Sequence, residues 1–454
     1  MRGTGPAMPP TDARGERDGA VHEAGGDVRA GVALRGAQAV LVLACAAQLL
    51  VPHRGLHVGA AIALHLCATA AYCVLAAAVV RGRLRPGAAE AFALAVALAL
   101  PALALTPQLS DDVNRYVFEG RLVHAGRNPY AVLPSDPAVA HLLDPAHPFA
   151  HHDVPAAYPP AIQYALALAV ALSPTASGAK LVFGACVLLA FAALWRHLPA
   201  IGIARERAVV FGWCPLPWIE CAGEGHTDAL TALFVVLAAW AGAAARPIAA
   251  GACLAVATAG KLLPCVLLPA LARRRPRAAV AFAVTLVLLY LPFLGEPRAL
   301  FAAATEYAMR WRANDGGYAL VHWLTELCLS PWRAGDGYVG LFAGAEVQRV
   351  AKLPLLALGV ALLVRCWRRA ESFERTAFVF FAFFVAFAPA MHPWYVVLFL
   401  PWLCVFPRLP LLAFTGTVAL AYHVLPRWLA EGVWSEQAWV KVVEYLPLWI
   451  GLLG

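Results

Sequence analysis

The sequence predicts an all-α, polytopic integral membrane protein of the helical-bundle kind, with about 12–14 transmembrane helices. Of its 454 residues, 61% are hydrophobic and only 14% are charged, whereas soluble domains carry about 25% charged residues. The apolar residues are concentrated in runs of about 17–25 residues, the length that a helix needs to cross the hydrocarbon of a bilayer. Composition and run length together exclude an ordinary soluble domain.

The candidate spans follow these hydrophobic runs in chain order. They are Leu34–Val51, Val58–Val80, Ala88–Leu105, Ala179–Leu198, Ala208–Ile219, Ala229–Ala245, Ile248–Ala259, Leu262–Ala272, Ala278–Leu294, Val347–Val364, Thr376–Ala388, Trp394–Phe406, Leu409–Val424 and Trp439–Leu453. Several are short and lie near Pro or Gly, as in broken or re-entrant helices that line a cavity. Ala161–Leu172 is interpreted as a further juxtamembrane or re-entrant helix.

Positive charge sets the predicted orientation. The formal net charge is +8, and Lys and Arg cluster between apolar runs: Arg81/Arg83/Arg85, Arg273/Arg274/Arg275/Arg277 and Arg365/Arg368/Arg369. This pattern indicates cytoplasmic loops under the positive-inside rule and does not favour nucleic acid as a partner. Residues 1–30, which are rich in Gly, Arg, Asp and Pro, are predicted to be a disordered cytoplasmic tail, and residues 31–454 a single transmembrane domain.

With the arginine clusters inside, three spans carry the chain out at Thr106. Two long extracytoplasmic loops then follow, residues 106–160 (the first loop) and residues 295–345 (the second loop), and long loops are usually functional. The polar segments 220–228, 261–264 and 391–395 fall on the same side. We therefore predict an enzyme-like site on the extracytoplasmic face of the inner (cytoplasmic) membrane.

The acidic pair Asp111 and Asp112 directly follows the third apolar run. Carboxylates beside hydrocarbon are costly and usually functional. One is expected to be a general base that removes a proton from an attacking hydroxyl, with the other orienting it. The alternative is a helix N-cap that offsets the helix dipole. The sequence does not decide between the two residues, although Asp112 shares a helix face with Arg115 and Glu119.

An amphipathic helix is predicted after this pair, lying at the membrane surface. Its apolar stripe consists of Val113, Val117, Phe118 and Leu122. Arg115 on the polar face has two readings. It either clamps a lipid phosphate or pairs within the helix with Asp111 or Glu119.

Four further segments carry candidate binding residues. The turn with Glu220, Glu224, His226 and Asp228 has metal-ligand types, but its spacing matches no closed zinc pattern, so polar capping or sugar binding is the alternative. Lys261, at a break in an apolar hairpin, suits a phosphate. The remaining two segments are Arg310, Trp311, Arg312, Asn314 and Asp315 in the second loop, and His392-Pro393-Trp394-Tyr395. Both are suited to binding a phosphate and a sugar ring, and the alternative is an interfacial aromatic belt.

Several kinds of chemistry are not indicated. The eleven cysteines are scattered singly, as small core hydrophobes rather than as disulfides or metal ligands. No Walker motif and no GxGxxG after a strand occurs. We therefore predict no cofactor and no metal, and we expect the energy for any synthesis to come with an activated substrate in the membrane.

These motifs together resemble a bacterial GT-C glycosyltransferase, from about Ala88 onward. The resemblance is carried by Ser110-Asp111-Asp112-Val113-Asn114-Arg115-Tyr116, Gly120-Arg121, Gly126-Arg127-Asn128-Pro129-Tyr130, Tyr158-Pro159-Pro160, Gly225-His226-Thr227-Asp228-Ala229, Lys261-Leu262-Leu263-Pro264 and His392-Pro393-Trp394-Tyr395. The chain is similar to polyprenyl-phosphate-mannose-dependent mannosyltransferases and the glycosyltransferase 87 group. Its acidic pair follows the third span rather than the first, which two extra N-terminal spans explain.

The resemblance implies a hexosyltransferase that moves mannose, with inversion, from a polyprenyl-phosphate donor to a lipid-linked or cell-envelope glycan. It places the base at Asp111 or Asp112. The expected substrate-binding residues are Arg115, Tyr116, Tyr158, Glu220, His226, Asp228, Lys261, Arg312, Asn314, Asp315, His392, Trp394 and Tyr395. Two alternatives remain: a transporter or flippase of a lipid-linked saccharide, for which inverted repeats are expected, and an envelope polysaccharide polymerase or ligase.

Overall fold

The computed structural model describes residues 31–273, 275–295, 299–340 and 343–454. The tail predicted over residues 1–30 lies outside the described residues. The main helices are α1 Gly31–Leu50, α2 Val58–Val80, α3 Ala88–Ala104, α4 Asp112–His124, α5 Pro160–Leu172, α6 Ala176–Ala200, α7 Asp228–Ala243, α8 Pro247–Thr258, α9 Leu263–Ala272, α10 Pro276–Phe293, α11 Ala302–Arg310, α12 Gly316–Leu329, α13 Val347–Arg368, α14 Phe373–Phe387, α15 Leu409–Glu431 and α16 Ala438–Leu453. One antiparallel hairpin, β1 Arg333–Ala334 with β2 Gly337–Tyr338, lies in the second loop.

The all-α polytopic membrane fold is confirmed. Within the described residues, six helices are long and apolar enough to cross a bilayer: α1, α2, α6, α10, α13 and α15. Five further apolar helices are shorter: α3, α5, α7, α8 and α9. The predicted bounds of α2 agree with the structure residue for residue. The predicted bounds of most other spans differ from the helix ends by a few residues, because they were set by hydropathy and not by backbone hydrogen bonding.

Two predicted spans are wrong as single helices. The predicted span Ala208–Ile219 is divided into short helical turns, the last of which passes into a π-helical turn over Trp218–Gly223. The predicted span Trp394–Phe406 is a 3₁₀ helix, Pro393–Leu398, followed by one short α-helical turn. Prolines inside both segments remove backbone donors and break the helical ladder. Irregular backbone is tolerated here because both segments are buried inside the protein.

One apolar core joins the two halves of the chain, with buried members from Leu41 in α1 to Leu448 in α16. Glycines permit the closest helix contacts, as is usual between membrane helices. A Cβ on Gly251 in α8 would lie 2.0 Å from the Ala278 carbonyl oxygen in α10. A Cβ on Gly120 in α4 would lie 2.5 Å from the Leu166 carbonyl oxygen in α5, so α4 packs tightly against the bundle.

The predicted apolar stripe of α4 is confirmed, since all four of its residues are buried. Two of the three arginine clusters and the first loop lie at opposite ends of α10. At its start, Arg273 donates to the Trp367 carbonyl oxygen, which joins two of the clusters. At its end, the Phe293 ring packs edge-on against Tyr130 of the first loop, with centroids 5.3 Å apart. The part of the first loop at Tyr130 is therefore separated from these two arginine clusters by the length of a spanning helix.

Candidate active site

The acidic pair lies where α4 begins, and its two members have different surroundings. The Asp112 backbone N–H donates to the Ser110 hydroxyl at 3.1 Å, which fixes the turn into the helix. The Asp111 carboxylate makes no capping bond to the helix. It accepts instead from the Ala150 N–H at 2.8 Å. Asp111 therefore ties α4 to the far end of the first loop.

The Asp112 carboxylate faces the interior of the site while remaining accessible. Its side chain is 38% exposed, and its Oδ2 lies 4.0 Å from His226 Nδ1. The Tyr116 hydroxyl donates to the same oxygen at 3.3 Å. Partial burial, followed by the negative charge of Asp111, raises the pKa of Asp112 to about 7, although Tyr116 and Arg115 act to lower it. The carboxyl group is thus poised to exchange a proton near neutral pH.

Two tyrosines extend the site from Asp112. The hydroxyls of Tyr116 and Tyr158 are 3.1 Å apart, and their rings meet edge to face at 5.6 Å. The Tyr158 carbonyl oxygen accepts from the Tyr130 hydroxyl at 2.8 Å. The Tyr158 hydroxyl is therefore held at the acidic pair by contacts within the first loop.

Arg115 is committed to the first loop. It pairs with Glu119 at 2.9 Å, which is one of the two predicted readings. Its other donors reach the carbonyl oxygens of His151, Val154 and Pro155, at 3.1, 2.7 and 2.8 Å. In this structure the guanidinium holds the loop against α4, and the lipid phosphate contact stays a prediction.

Three rings form a stack beside Asp112. His226 lies against one face of Trp394, with centroids 3.6 Å apart, and His392 lies on the indole at 4.4 Å with nearly parallel planes. Trp394 is buried and stacks with both imidazoles. On its other edge, His226 Nε2 lies 3.7 Å from Glu220 Oε2, and that oxygen accepts from the Tyr422 hydroxyl at 2.8 Å.

Lys261 lies at the break in the chain after α8 and contacts residues of the same site. Its Nζ donates to Asp228 at 2.7 Å, and the ammonium retains partial exposure. The ammonium also lies 3.3 Å from the centre of the Tyr395 ring, a close cation–π contact. The Tyr395 hydroxyl is 2.8 Å from that of Tyr307 in α11, so the second loop reaches the site through an aromatic contact.

The second loop is also joined to the His392 segment through its backbone. Ala313 N–H donates to the Pro389 carbonyl at 3.1 Å, and Met391 N–H donates back to Ala313 at 2.9 Å. Arg312, which pairs with Asp315, keeps 37% of its side chain exposed. Asn314 and Asp315 turn instead toward the C-terminal helix: the Asn314 amide donates to Glu444 at 2.7 Å, and Asp315 accepts from Lys441 at 2.6 Å.

Two family models match this chain, and each covers more than half of it. The model described as Alpha-(1->6)-mannopyranosyltransferase, N-terminal domain, matches residues 19–275. The chain belongs to this mannosyltransferase family. The model of glycosyltransferase family 87 matches residues 156–401, which include Tyr158, His226, Lys261 and His392. No curated protein matches the chain.

The chain is therefore a membrane glycosyltransferase, as its resemblance implied. Many of the predicted site residues of this mannosyltransferase converge, although they come from segments far apart in the sequence, whereas Asn314 and Asp315 contact the C-terminal helix instead. One continuous set of contacts joins Asp112, Tyr116, Tyr158, Glu220, His226, Asp228, Lys261, Trp394, His392 and Tyr395. Among the described residues, no group of three His, Cys, Asp or Glu side chains is arranged to hold a metal ion. Glu224 turns away from its predicted neighbours, toward Arg54.

Sequence reasoning missed several polar residues of the mannosyltransferase that support this site. They are Arg54, Tyr307, Tyr422, Glu436, Lys441 and Glu444. Lys441 and Glu444 interrupt an apolar span, and charged residues in such a span indicate function, so this signal was available in the sequence. The hydroxyls of Tyr307 and Tyr422 carry no comparable sequence signal, because tyrosine is common at membrane interfaces.

Proposed function

We propose that this mannosyltransferase moves mannose from a polyprenyl-phosphate donor to a hydroxyl group of a lipid-linked or cell-envelope glycan, and that Asp112 is the general base. The reaction is placed on the extracytoplasmic face of the cytoplasmic membrane. The observation that carries the proposal is the Asp112 carboxylate: it is accessible, titrates near neutral pH and faces His226 at 4.0 Å. Asp111 is already bound by a backbone N–H and is assigned to holding the loop.

The proposed step is a single displacement. Asp112 accepts the proton of the acceptor hydroxyl as its oxygen bonds to the anomeric carbon, and the bond from that carbon to the phosphate oxygen breaks. The polyprenyl phosphate leaves with the bonding electron pair. Because the oxygen enters opposite the leaving group, the configuration inverts. An α-linked product, which the printed name of the family describes, then requires a β-linked phosphate donor.

The donor phosphate is assigned to the cationic side of the site. Lys261 contacts the Tyr395 ring, and His392 contacts the rings of both Trp394 and Tyr395. Arg312 is next to Ala313, which pairs with the backbone on both sides of Ala390. Lys261 and Arg312 carry the positive charge, which forms strong charge-assisted hydrogen bonds with phosphate oxygens. Burial and the charge of Lys261 lower the pKa of His392 to about 4, so its imidazole is a neutral N–H donor. The exposed fractions of Lys261 and Arg312 leave their donors able to reach a ligand.

The test is release of polyprenyl phosphate by purified protein from polyprenyl-phosphate mannose in the presence of a mannoside acceptor. A positioned general base typically contributes about 10²–10⁴-fold. Asp112→Asn keeps the side chain's size but cannot accept the proton, so turnover is expected to fall at least about a hundredfold. Asp111→Asn is the matched control and is expected to lose less, because a backbone contact and not the base is weakened.

Three outcomes contradict the proposal. Near-normal turnover in both variants would show that neither carboxylate is the general base. A larger loss in Asp111→Asn than in Asp112→Asn would exchange the two roles. Turnover of the α-linked but not the β-linked donor into an α product would require retention, and thus a different mechanism.

A further inference from the structure

A buried ion pair lies at the base of the first loop, outside the contacts assigned to substrate. Arg54 is in the turn between α1 and α2, and its Nη2 lies 2.5 Å from Glu224 Oε1. The two side chains are 2% and 0% exposed. Burying two charges contributes little net stability, because desolvation offsets their attraction. The pair is therefore better explained by the backbone geometry that Arg54 and Glu224 hold in place.

The pair holds the backbone that leads into the acidic motif. The second oxygen of Glu224 accepts from the N–H groups of Gln108 and Leu109, both at 2.9 Å. Arg54 donates to the Thr106 carbonyl oxygen at 2.5 Å, and its own N–H donates to the Gln108 side chain at 2.9 Å. These four bonds leave the chain little freedom directly before Ser110.

Lys180 of α6 holds the chain one turn earlier. Its Nζ donates to the carbonyl oxygens of Leu103, at 2.8 Å, and Leu105. Charged side chains from three different elements therefore bind the backbone over residues 103–109. Such strong side-chain bonds to loop backbone are expected where a functional group must be held on a rigid support.

The same glutamate also fixes the opposite side of the site. Glu224 is followed by Gly225, which has a φ of +83°, and then by His226. A Cβ on Gly225 would lie 2.8 Å from a methyl carbon of Val113 in α4. Val113 follows Asp112 in the chain, so the two segments that carry Asp112 and His226 touch each other at this point. One carboxylate thus determines the position of both groups.

We infer that Arg54 and Glu224 are positioning residues for transfer, which set the separation of Asp112 and His226. This inference rests on the proposed role of Asp112 as the base. It gives the hairpin of α1 and α2 a role beyond anchoring: it supplies the arginine that the acidic motif needs. A displacement of about 1 Å at a reacting group can cost about a hundredfold in rate.

The experiment compares kcat and donor KM in the full-length protein with and without the pair. Arg54→Met combined with Glu224→Gln removes both charges, so that no buried charge is left alone. We expect kcat to fall at least about tenfold with donor KM nearly unchanged, because the groups assigned to the phosphate are not touched. Arg54→Lys, which keeps the charge, is the second variant and is expected to retain more of kcat than the double variant.

The same changes are then made in an Asp112→Asn background. If the pair acts by placing the base, its removal costs much less once the base is absent. The matched control is the buried His197–Glu374 pair, 3.3 Å apart, which joins the end of α6 to the start of α14. Replacing both residues, by His197→Gln with Glu374→Gln, is expected to leave kcat at the wild-type value.

Each outcome separates this inference from the proposed function. Wild-type kcat in the double variant, or an equal fold-loss of kcat in both backgrounds, would overturn the positioning role. A comparable loss of kcat in the His197–Glu374 control would also overturn it, because any buried pair would then have the same effect. Near-normal turnover of Asp112→Asn alone would instead refute the assignment of the base.

Discussion

At the residue scale, the two carboxylates of the acidic motif are chemically distinct although they are adjacent in the chain. Asp111 is bound to a backbone N–H in the first loop. Asp112 is accessible and has a pKa raised to about 7. When two acids lie close together, the charge of one opposes ionisation of the other. Asp111 therefore raises the pKa of Asp112 as well as contacting the first loop.

The first prediction concerns this pKa. A general base acts in its ionised form, so kcat/KM should rise with pH and level off above about 7. Asp111→Asn removes a charge that raises the pKa of Asp112, so the rise should move to lower pH. Tyr116→Phe removes a hydrogen bond that lowers this pKa, so the rise should move to higher pH. The measurement is kcat/KM against pH for the three proteins, and shifts in the same direction would contradict the assignment.

The second prediction concerns the donor phosphate. Removing a charge-assisted hydrogen bond costs about 1.5–3 kcal/mol, which weakens binding about ten- to a hundredfold. Arg312→Ala and Lys261→Ala should each weaken donor binding by this amount, measured by equilibrium binding of the polyprenyl-phosphate sugar. Arg310→Ala is the control in the same loop, since its guanidinium is 65% exposed and pairs with Glu306. If Arg312→Ala and Lys261→Ala both keep full affinity, the phosphate binds elsewhere.

At the element scale, helix contacts are governed by small residues where backbones approach. The α8–α10 contact is the tightest example, with the Gly251 backbone against the Ala278 carbonyl. The short helices α8 and α9 owe their place to such packing, because neither is long enough to be held by the bilayer alone. α4 is likewise held by the close contact of Gly120 with α5, which places the acidic motif.

The third prediction tests this packing. Gly251→Ala puts a methyl group where no space exists, and overpacking costs about 1–3 kcal/mol. The unfolding temperature of the purified protein should therefore fall. Gly36 in α1 is the matched control, because no other atom lies within 4 Å of its added Cβ. Gly36→Ala should be neutral or slightly stabilising, since alanine favours a helix over glycine. Equal unfolding temperatures for both variants would contradict the packing argument.

At the scale of the whole molecule, the two long loops and the polar breaks meet at one end of the bundle. The bridge between Ala313 and Ala390 and the contact between Tyr307 and Tyr395 join the second loop to this end. The contact between Tyr130 and Phe293 joins the first loop to it. A site built from many segments in this way requires the whole bundle to be folded before it can bind substrate.

The fourth prediction concerns sidedness. Cysteines placed at the exposed positions Ser135 and Asp336 should react with an impermeant thiol reagent in intact cells, because both loops are assigned to the extracytoplasmic side. The exposed native cysteines Cys67, Cys265 and Cys328 are first replaced by Ser. A cysteine at Arg83 is the control and should be labelled only after lysis. Labelling of the loop positions only after lysis would reverse the orientation.

The sequence by itself determined the fold class, the bounds of most helices, the apolar stripe of α4 and many of the residues that meet at the candidate site. These depend on hydropathy, helical periodicity and residue type, which are local properties of the chain. The prediction was wrong where prolines break buried segments. Ala208–Ile219 and Trp394–Phe406 were predicted as single spans, because hydropathy carries no information on backbone hydrogen bonding.

Only the tertiary structure decided which partners each polar residue contacts. It gave Asp111 and Asp112 different partners, placed Arg115 against loop carbonyls and stacked Trp394 with two imidazoles. It also paired Arg54 with Glu224. Each of these depends on contacts between residues far apart in the chain, and burial, pKa and hydrogen bonding arise from such contacts. The residue types of the chain therefore indicate which groups are candidates for a site, whereas the packing of its helices decides which contacts those groups make.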